Sequence, residues 1–378
     1  PFLVFVALAA WAMGILNSYN YFIMPALASA FFNIVLIAGC ILGPYYYQNM
    51  GLIEFMGIVV VLGGIAQFVV QLPQARHIQF FPPLQVSPFH PRVKEFLIKM
   101  APGVFGLAVY QINALITQMY FASKWDGGIS IMTYAFRFIQ LPLGVVGVAL
   151  AAASFPRISQ QIEQDRHADA AKTLMKVLKY LMVLMIPASV GLMVLGKDII
   201  GLIYNRMEFQ KANWLEPTYM VMIFYAFGLF FYSLLKVLVR VIQAHHDFTT
   251  PVKIGAVSLV VNIVLCSLFS RFLPLWSLAL ASALASAVQG ALLLVVVVRR
   301  MPDFSLSRVL AFSVRVLVAV GGMGLACLAF VQYCPVTGGT TMSHLFRVVV
   351  GMGGGMVVYA GLGWILFRQE MESVLKLK

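Results

Sequence analysis

One arginine lies inside an apolar stretch that is long enough to cross a membrane. Arg137 is embedded in ISIMTYAFRFIQLPLGVVGVAL, residues 129–150. A charge at the centre of a bilayer costs ~2.5–3.5 kcal/mol, so this side chain should face a hydrated cavity or a partner rather than lipid. A long side chain could instead snorkel to the outer interface. Because guanidinium donates two parallel hydrogen bonds, Arg137 is a candidate ligand for phosphate oxygens.

The residues after Arg137 predict a weakened helix. Pro142, Gly144 and Gly147 follow within three turns. Proline removes a backbone hydrogen bond, and glycine allows another backbone to approach closely. We therefore expect this part of the helix to flex or to pack tightly against a neighbour.

Further basic residues lie near the ends of two later apolar blocks. Lys236 and Arg240 are one turn apart near the end of one block, and Lys253 is just inside the next. They could line the inner mouth of a basic vestibule, but anchoring at the membrane interface explains them equally well. Lys197-Asp198 is interpreted as a pair at the membrane interface. The helix of block 178–203 is predicted to end early, around Gly196-Lys197-Asp198, and to resume as a short interfacial helix.

Other kinds of chemistry find little support in the sequence. The six histidines fall in loops or at block ends, and no HExxH, GxSxG or GxxxxGK[ST] motif occurs. The four cysteines match neither a metal site nor a disulfide framework. Acidic residues are almost absent from the apolar blocks, which argues against coupling to a proton or sodium ion. We expect no enzyme activity, no metal and no cofactor.

The elements that must position these residues are transmembrane helices. The chain is 61% hydrophobic and only 10% charged, and its apolar residues come in blocks of membrane-spanning length. The predicted fold is an all-α integral membrane protein with about eleven visible helices. The blocks are 2–17, 22–43, 53–72, 100–122, 129–154, 178–203, 217–241, 251–270, 274–298, 309–332 and 345–367.

Lys and Arg are distributed unevenly between the connections. Alternate connections and the C-terminal tail hold 17 of them, against 5 in the other set. Basic loops stay in the cytoplasm, so the C-terminus is predicted to be cytoplasmic. Membrane topology therefore explains the net charge of +13, and no nucleic-acid partner is needed to account for it.

Three segments suggest further organisation. The Pro-rich, basic span 73–98 is a candidate interdomain linker. Residues 157–177 are predicted to form an amphipathic helix on the cytoplasmic membrane surface. Phe-x-x-Pro opens two helices, at Phe22/Pro25 and at Phe248/Pro251, and Asn-Ile-Val follows each. This repeat is typical of a transporter built from two homologous lobes.

Three stretches carry a resemblance to a known family. They are GILNSYNYFIMPA at 14–26, YAFRFIQLPLGVVGVALAAASFPRIS at 134–159 and KVLVRVIQAHHDFTTPVKI at 236–254. In this order they resemble the MurJ/MviN family of bacterial lipid II flippases, and the resemblance covers nearly the whole chain.

The resemblance implies fourteen helices: two six-helix lobes around a cationic cavity, then a final pair that holds a lipid tail. The chain, which begins at Pro1 without Met, would lack the first three helices. Residues 1–72 would then be the second half of the N-terminal lobe (family helices four to six), 73–98 a cytoplasmic linker, 99–300 the C-terminal lobe, and 301–378 the final pair and tail. The family's cavity arginine falls on Arg137.

The sequence also departs from the family pattern. Phe136 and Gln140 stand where the family commonly has acidic residues, and Arg206-Met207-Glu208-Phe209 replaces an Arg-Gly-x-Phe pattern. These changes affect the expected cavity charge and one turn rather than the family assignment.

The expected function is translocation of lipid II, or of a similar polyprenyl-pyrophosphate glycolipid, across the bacterial inner membrane for cell-wall synthesis. Membrane lipids and other cell-wall synthesis proteins are the expected partners. The alternatives are a flippase for another polyprenyl-linked glycan, a multidrug antiporter of the same superfamily, and a non-transporting membrane scaffold. An antiporter should need embedded carboxylates, and a scaffold should not need its embedded cations.

Overall fold

The structure is a computed structural model that describes residues 1–19, 21–46, 51–77, 91–204, 206–333 and 341–375. Within those ranges the secondary structure is helical and includes no strand. The chain divides into two compact units, Pro1–His90 and Pro91–Lys378. The first unit contains α1 (Phe2–Ser18), α2 (Ile23–Tyr46), α3 (Leu52–Val69) and α4 (Leu72–His77).

The second unit contains the remaining helices. Two of its long apolar segments include a π-helical turn, at Ile116–Phe121 and at Leu143–Val148. A short 3₁₀ turn, Ala122–Lys124, precedes the second of these segments. The helices are α5 (Pro91–Leu115), α6 (Gly128–Pro142), α7 (Ala149–Glu163), α8 (His167–Tyr204), α9 (Met207–Lys211), α10 (Leu215–Ala244), α11 (Thr249–Phe272), α12 (Trp276–Arg300), α13 (Leu306–Gln332), α14 (Thr341–Leu366) and α15 (Arg368–Leu375).

The predicted all-α membrane fold is confirmed. Among the described residues, 9 helical segments are long and apolar enough to cross a bilayer, and α1 is a shorter apolar helix. Each of the eleven predicted blocks falls on a helix. The number of crossings stays a prediction.

Helix α10 forms the centre of the second unit. It packs against α6, α7, α8 and α12, and its buried residues, among them Met222, Leu229 and Leu238, surround the helix rather than forming one stripe. On α12 the buried alanines Ala279 and Ala283 allow close approach. Small residues serve this purpose in membranes, where helices associate through tight packing.

Side-chain contacts bring three of the predicted cytoplasmic connections to one end of the second unit. His167, at the start of α8, stacks on His245, which follows α10, with ring centroids 6.4 Å apart. Arg300, at the end of α12, forms an ion pair of 2.5 Å with Asp247. At the end of the unit where α11 finishes, Lys124 Nζ donates a hydrogen bond to Ser270 Oγ over 3.3 Å.

The structure differs from the prediction of one amphipathic helix near 157–177. Its first residues belong to α7, which ends at Glu163, and the rest begin α8 at His167. The turn between them includes Asp165 with a φ of 54°. The apolar face of the α8 part, including Ala171 and Leu174, is buried within the protein instead of lying on a membrane surface.

The prediction that a helix ends near Gly196 is wrong. Helix α8 continues from His167 to Tyr204. At Gly196 the missing side chain admits the methyl group of Met222 from α10, and a Cβ there would collide with it. The glycine therefore permits close packing and does not break the helix.

Two helices extend into the predicted linker, and the domain boundaries themselves stay a prediction. Helix α4 occupies the beginning of the predicted linker 73–98, and α5 begins within it at Pro91. Residues 78–90 lie outside the described ranges. The final pair, α13 and α14, packs against α8 and belongs to the same compact unit as the predicted C-terminal lobe.

Candidate functional site: an arginine on the uncovered face of helix α6

Helix α6 has one face packed in the protein and one face left uncovered. Ile131, Met132, Ala135 and Ile139 are buried, as expected for residues three or four apart. Arg137 lies on the exposed side, where Gln140, Leu141 and Gly144 follow one and two turns later. This geometry places a cation on an uncovered, otherwise largely apolar helix surface.

Arg137 has no carboxylate beside it on its own helix. In the part of the chain that the structure describes, it forms no hydrogen bond or ion pair. The neighbouring residue Phe136 packs against Tyr225 of α10 with ring centroids 5.2 Å apart. The guanidinium is therefore available to an anion from outside the helix.

The other predicted basic residues are exposed but lie elsewhere. Lys236 and Arg240 are on α10, and Lys253 is in the first turns of α11. The guanidinium of Arg240 stacks on Phe155 of α7, 5.6 Å from the ring centroid. These cations are near the end of the unit where Asp247 pairs with Arg300.

Arg137 lies far along the helix axis from the other predicted cations, as the contacts between the α6–α7 segment and α10 show. Phe136 contacts Tyr225, and Phe155 contacts Arg240, so the two segments run parallel. Arg240 comes fifteen residues after Tyr225 on α10, which corresponds to about 22 Å at the rise of an α-helix. Arg137 and Arg240 therefore stand at two depths and cannot hold the same phosphate group together.

The predicted flexible positions behave differently from one another. Pro142 is the last residue of α6 and is followed at once by the π-helical turn. At Gly147, an added Cβ would lie 3.0 Å from Ser233 Oγ of α10, whereas at Gly144 nothing lies within 4 Å. Gly147 thus allows close packing, and Gly144 faces open space.

The repeated Phe-x-x-Pro motif occupies matching places in two helices. Pro25 is the third residue of α2 and Pro251 is the third residue of α11, and both are buried. The asparagines that follow are not equivalent, because Asn33 is exposed and Asn262 is fully buried.

Asn262 belongs to a buried neutral network that sequence reasoning did not identify. Its Nδ2 donates hydrogen bonds to Asn113 Oδ1 (2.6 Å) and to Thr117 Oγ1 (2.7 Å). Cys266 Sγ donates to Asn262 Oδ1 over 3.7 Å. The network joins α11 to α5 and the π-helical turn that follows it. Among the described residues, no group of three metal-ligating side chains is present there or elsewhere.

A buried charged cluster was also missed. Asp198 Oδ1 lies 2.8 Å from His344 Nδ1 and 3.8 Å from Arg347 Nη1. Lys197, predicted to pair at the interface with Asp198, instead binds Glu216 over 2.6 Å. The available signal was the His-x-x-Arg spacing at the start of the last apolar block, but nothing local connects it with a residue 146 positions earlier.

Comparison with known proteins gives consistent matches. Residues 1–350 match the family described as "Lipid II flippase MurJ". A probable lipid II flippase MurJ of Bdellovibrio bacteriovorus is 26% identical over 375 residues, which cover 99% of this chain and 70% of that protein. A relative of the same description from Vibrio cholerae is 31% identical over 295 residues, covering 78% and 55%.

A solved structure is similar as well. The structure described as "Lipid II flippase MurJ, inward closed conformation" superposes with a TM-score of 0.77 and 25% identity. The match covers 98% of this chain and 73% of that chain.

Proposed function

The chain belongs to the MurJ family, and on that premise we propose that it moves lipid II from the inner to the outer leaflet by alternating access. The protein is a transporter of lipid-linked peptidoglycan precursor, not an enzyme, and it acts in cell-wall synthesis. It is an integral membrane protein with many apolar helices. Its C-terminus is cytoplasmic in this proposal, since the Lys/Arg-rich connections then face inwards.

The observation that carries the proposal is the exposed guanidinium of Arg137 on α6. Lipid II has a diphosphate between its glycan and its polyprenyl chain, and a bare anion in a low-dielectric medium loses solvation worth tens of kcal/mol. A hydrated cavity avoids most of this loss, and Arg137 supplies a positive partner with paired hydrogen-bond donors. The polyprenyl chain remains outside this cavity, in the apolar part of the membrane.

The second group of cations serves an earlier stage in this proposal. Lys236, Arg240 and Lys253 line an inner vestibule, in which Arg240 is about 22 Å from the level of Arg137. They attract the diphosphate on the cytoplasmic side, and the headgroup then moves to Arg137. A conformational change then exposes the headgroup to the opposite side of the membrane.

The helix next to Arg137 has features that would accommodate such a movement. The π-helical turn Leu143–Val148 follows Pro142 directly, and π-helical turns are frequent at functional sites. Residues 1–72 and 99–300 correspond in this proposal to lobes joined through 73–98, and 301–378 provide the groove for the tail. Other cell-wall synthesis proteins are the proposed protein partners.

Complementation of cells depleted of their own flippase tests the role of Arg137. Arg137→Ala should abolish or strongly reduce growth at normal membrane expression, because a lost charged hydrogen-bonding group costs about 1.5–3 kcal/mol, or roughly 10–150-fold in binding. Arg137→Lys should retain part of the activity, since it keeps the charge but loses the paired donors.

Arg271→Ala is the matched control, because Arg271 is also exposed but lies at the end of α11. It should complement fully. Full growth with Arg137→Ala would exclude this residue as the diphosphate ligand and would favour a scaffold, whose embedded cations are dispensable.

A further inference from the structure

A cavity of about 380 Å³ lies at the end of the second unit where α8 and α13 begin. It is formed by the first turns of α8, the first turn of α13 and helix α15. None of these helices carries Arg137 or the vestibule cations. The lining residues are Lys172, Met175, Lys176, Lys179, Tyr180, Arg308, Val309, Gln369 and Glu370.

The lining is strongly positive. Four cations face one carboxylate, Glu370, which pairs with Lys179 over 2.8 Å. Lys172 is exposed and interacts with Asp169 at 3.6 Å, a pair on the surface of α8. Within the described ranges, neither Lys176 nor Arg308 forms an ion pair. The cavity therefore has an excess of positive charge that no residue of the described chain neutralises.

The beginning of α13 adds to this potential. The preceding residue, Ser305, makes no side-chain capping hydrogen bond to the helix. The N-terminus of a helix carries a partial positive charge and exposes backbone N–H groups that attract anions. In this helix Arg308 and Val309 of the first turn border the cavity directly.

The wall and surroundings of the cavity are apolar. Tyr180 and Val309 are each 4% exposed, and Lys176 Nζ lies 5.5 Å from the centroid of the Tyr180 ring. Beyond the first turn of α13, Leu310, Val314 and Leu317 are exposed along the helix. The exposed side of α13 beyond the cavity is thus mainly apolar, with Arg315 as a further exposed cation about two turns after Arg308.

We propose that this cavity binds the phosphate headgroup of an anionic glycerophospholipid. Its phosphate lies between Lys176 and Arg308, and its acyl chains lie along the exposed apolar residues of α13. Basic recesses between membrane helices recognise anionic headgroups in this way. The bound lipid bridges α8, α13 and α15, and so stabilises the packing of the last helices on the rest of the unit. The headgroup cavity contains none of the cations that we propose to bind the transported diphosphate.

The test measures lipid binding by the purified whole protein in a neutral detergent. Native mass spectrometry during titration gives the affinity for dioleoyl phosphatidylglycerol and for dioleoyl phosphatidylcholine, which has the same chains but no net charge. The variant is Lys176→Gln with Arg308→Gln. Its matched control is Arg157→Gln with Arg299→Gln, which removes two exposed arginines at the same end of the unit.

The unaltered protein should prefer phosphatidylglycerol. Each interfacial cation contributes about fivefold to the affinity. The cavity variant, which loses two, should therefore bind phosphatidylglycerol about thirtyfold more weakly. The control should change by less than about twofold, and binding of phosphatidylcholine should not change with the cavity variant.

Two other outcomes would overturn the proposal. Equal weakening in both double variants would indicate general surface electrostatics instead of a site. Full competition by millimolar inorganic phosphate or glycerol 1-phosphate would show a site for soluble anions, because a lipid site also depends on its acyl chains. Elution of each variant as a single folded species keeps either result interpretable.

Discussion

Replacing Asp198 by Asn tests whether the cluster between α8 and α14 holds the last helices in place. The substitution keeps the size of the side chain and removes its charge. His344 and Arg347 of α14 then lose the carboxylate that lies 2.8 Å and 3.8 Å from them. We therefore expect α14 to pack less stably against α8.

The magnitude follows from the burial of the cluster. Side-chain exposure is 9% for Asp198, 11% for His344 and 27% for Arg347. Removing one partner of a buried ion pair costs about 3–5 kcal/mol, but the partial exposure of Arg347 lets water replace some of that interaction. Asp198→Asn should therefore lower the free energy of unfolding by about 2 kcal/mol.

The assay is thermal unfolding of the purified protein in detergent. At roughly 1–2 °C per kcal/mol for a chain of 378 residues, Asp198→Asn should lower the midpoint by about 2–4 °C. Glu216→Gln is the matched control, because it breaks the neighbouring Lys197–Glu216 pair, in which both side chains are 51% exposed. An exposed pair contributes less than about 1 kcal/mol. Equal shifts for the two variants, or no shift for Asp198→Asn, would refute this reasoning.

Two further predictions concern α6–α7 packing and pH. Gly147→Leu should destabilise the protein by about 2 kcal/mol in the same unfolding assay, because the new leucine side chain would collide with α10. Gly144→Leu, which points into open space, should be neutral or slightly stabilising. Similar losses for both variants would contradict this prediction. Burial, with the nearby Arg300 cation, lowers the pKa of His245. The unfolded chain then binds the proton more readily, so stability should fall as the pH drops below about 6.5, and His245→Gln should flatten that dependence. An unchanged pH dependence would be the contrary result.

The helices could be predicted from the sequence because their signal is local, and the location of Arg137 within one of them follows from the same signal. An apolar block of membrane length has few alternative structures. A charge inside such a block is costly in lipid wherever the rest of the chain lies. The exposed position of Arg137 on α6 is consistent with the predicted role, which still awaits its test.

The errors came from features whose meaning depends on distant residues. The apolar face of 167–177 has the same pattern whether it meets a membrane or other helices, and here it is buried in the protein. Gly196 could end a helix or admit a neighbour, and only the position of Met222 decides between them. Asp198 is next to Lys197 in the sequence but pairs with His344.

Transport of fluorescently labelled lipid II in proteoliposomes tests the central claim most directly. The unaltered protein should make inner-leaflet lipid II accessible to a membrane-impermeant quencher outside the vesicle. Arg137→Ala should reduce the initial rate by at least about tenfold, and Arg271→Ala should leave it unchanged. Equal rates for the unaltered protein and Arg137→Ala would contradict the assignment of the diphosphate to Arg137, and no transport above protein-free vesicles would contradict the proposed function itself.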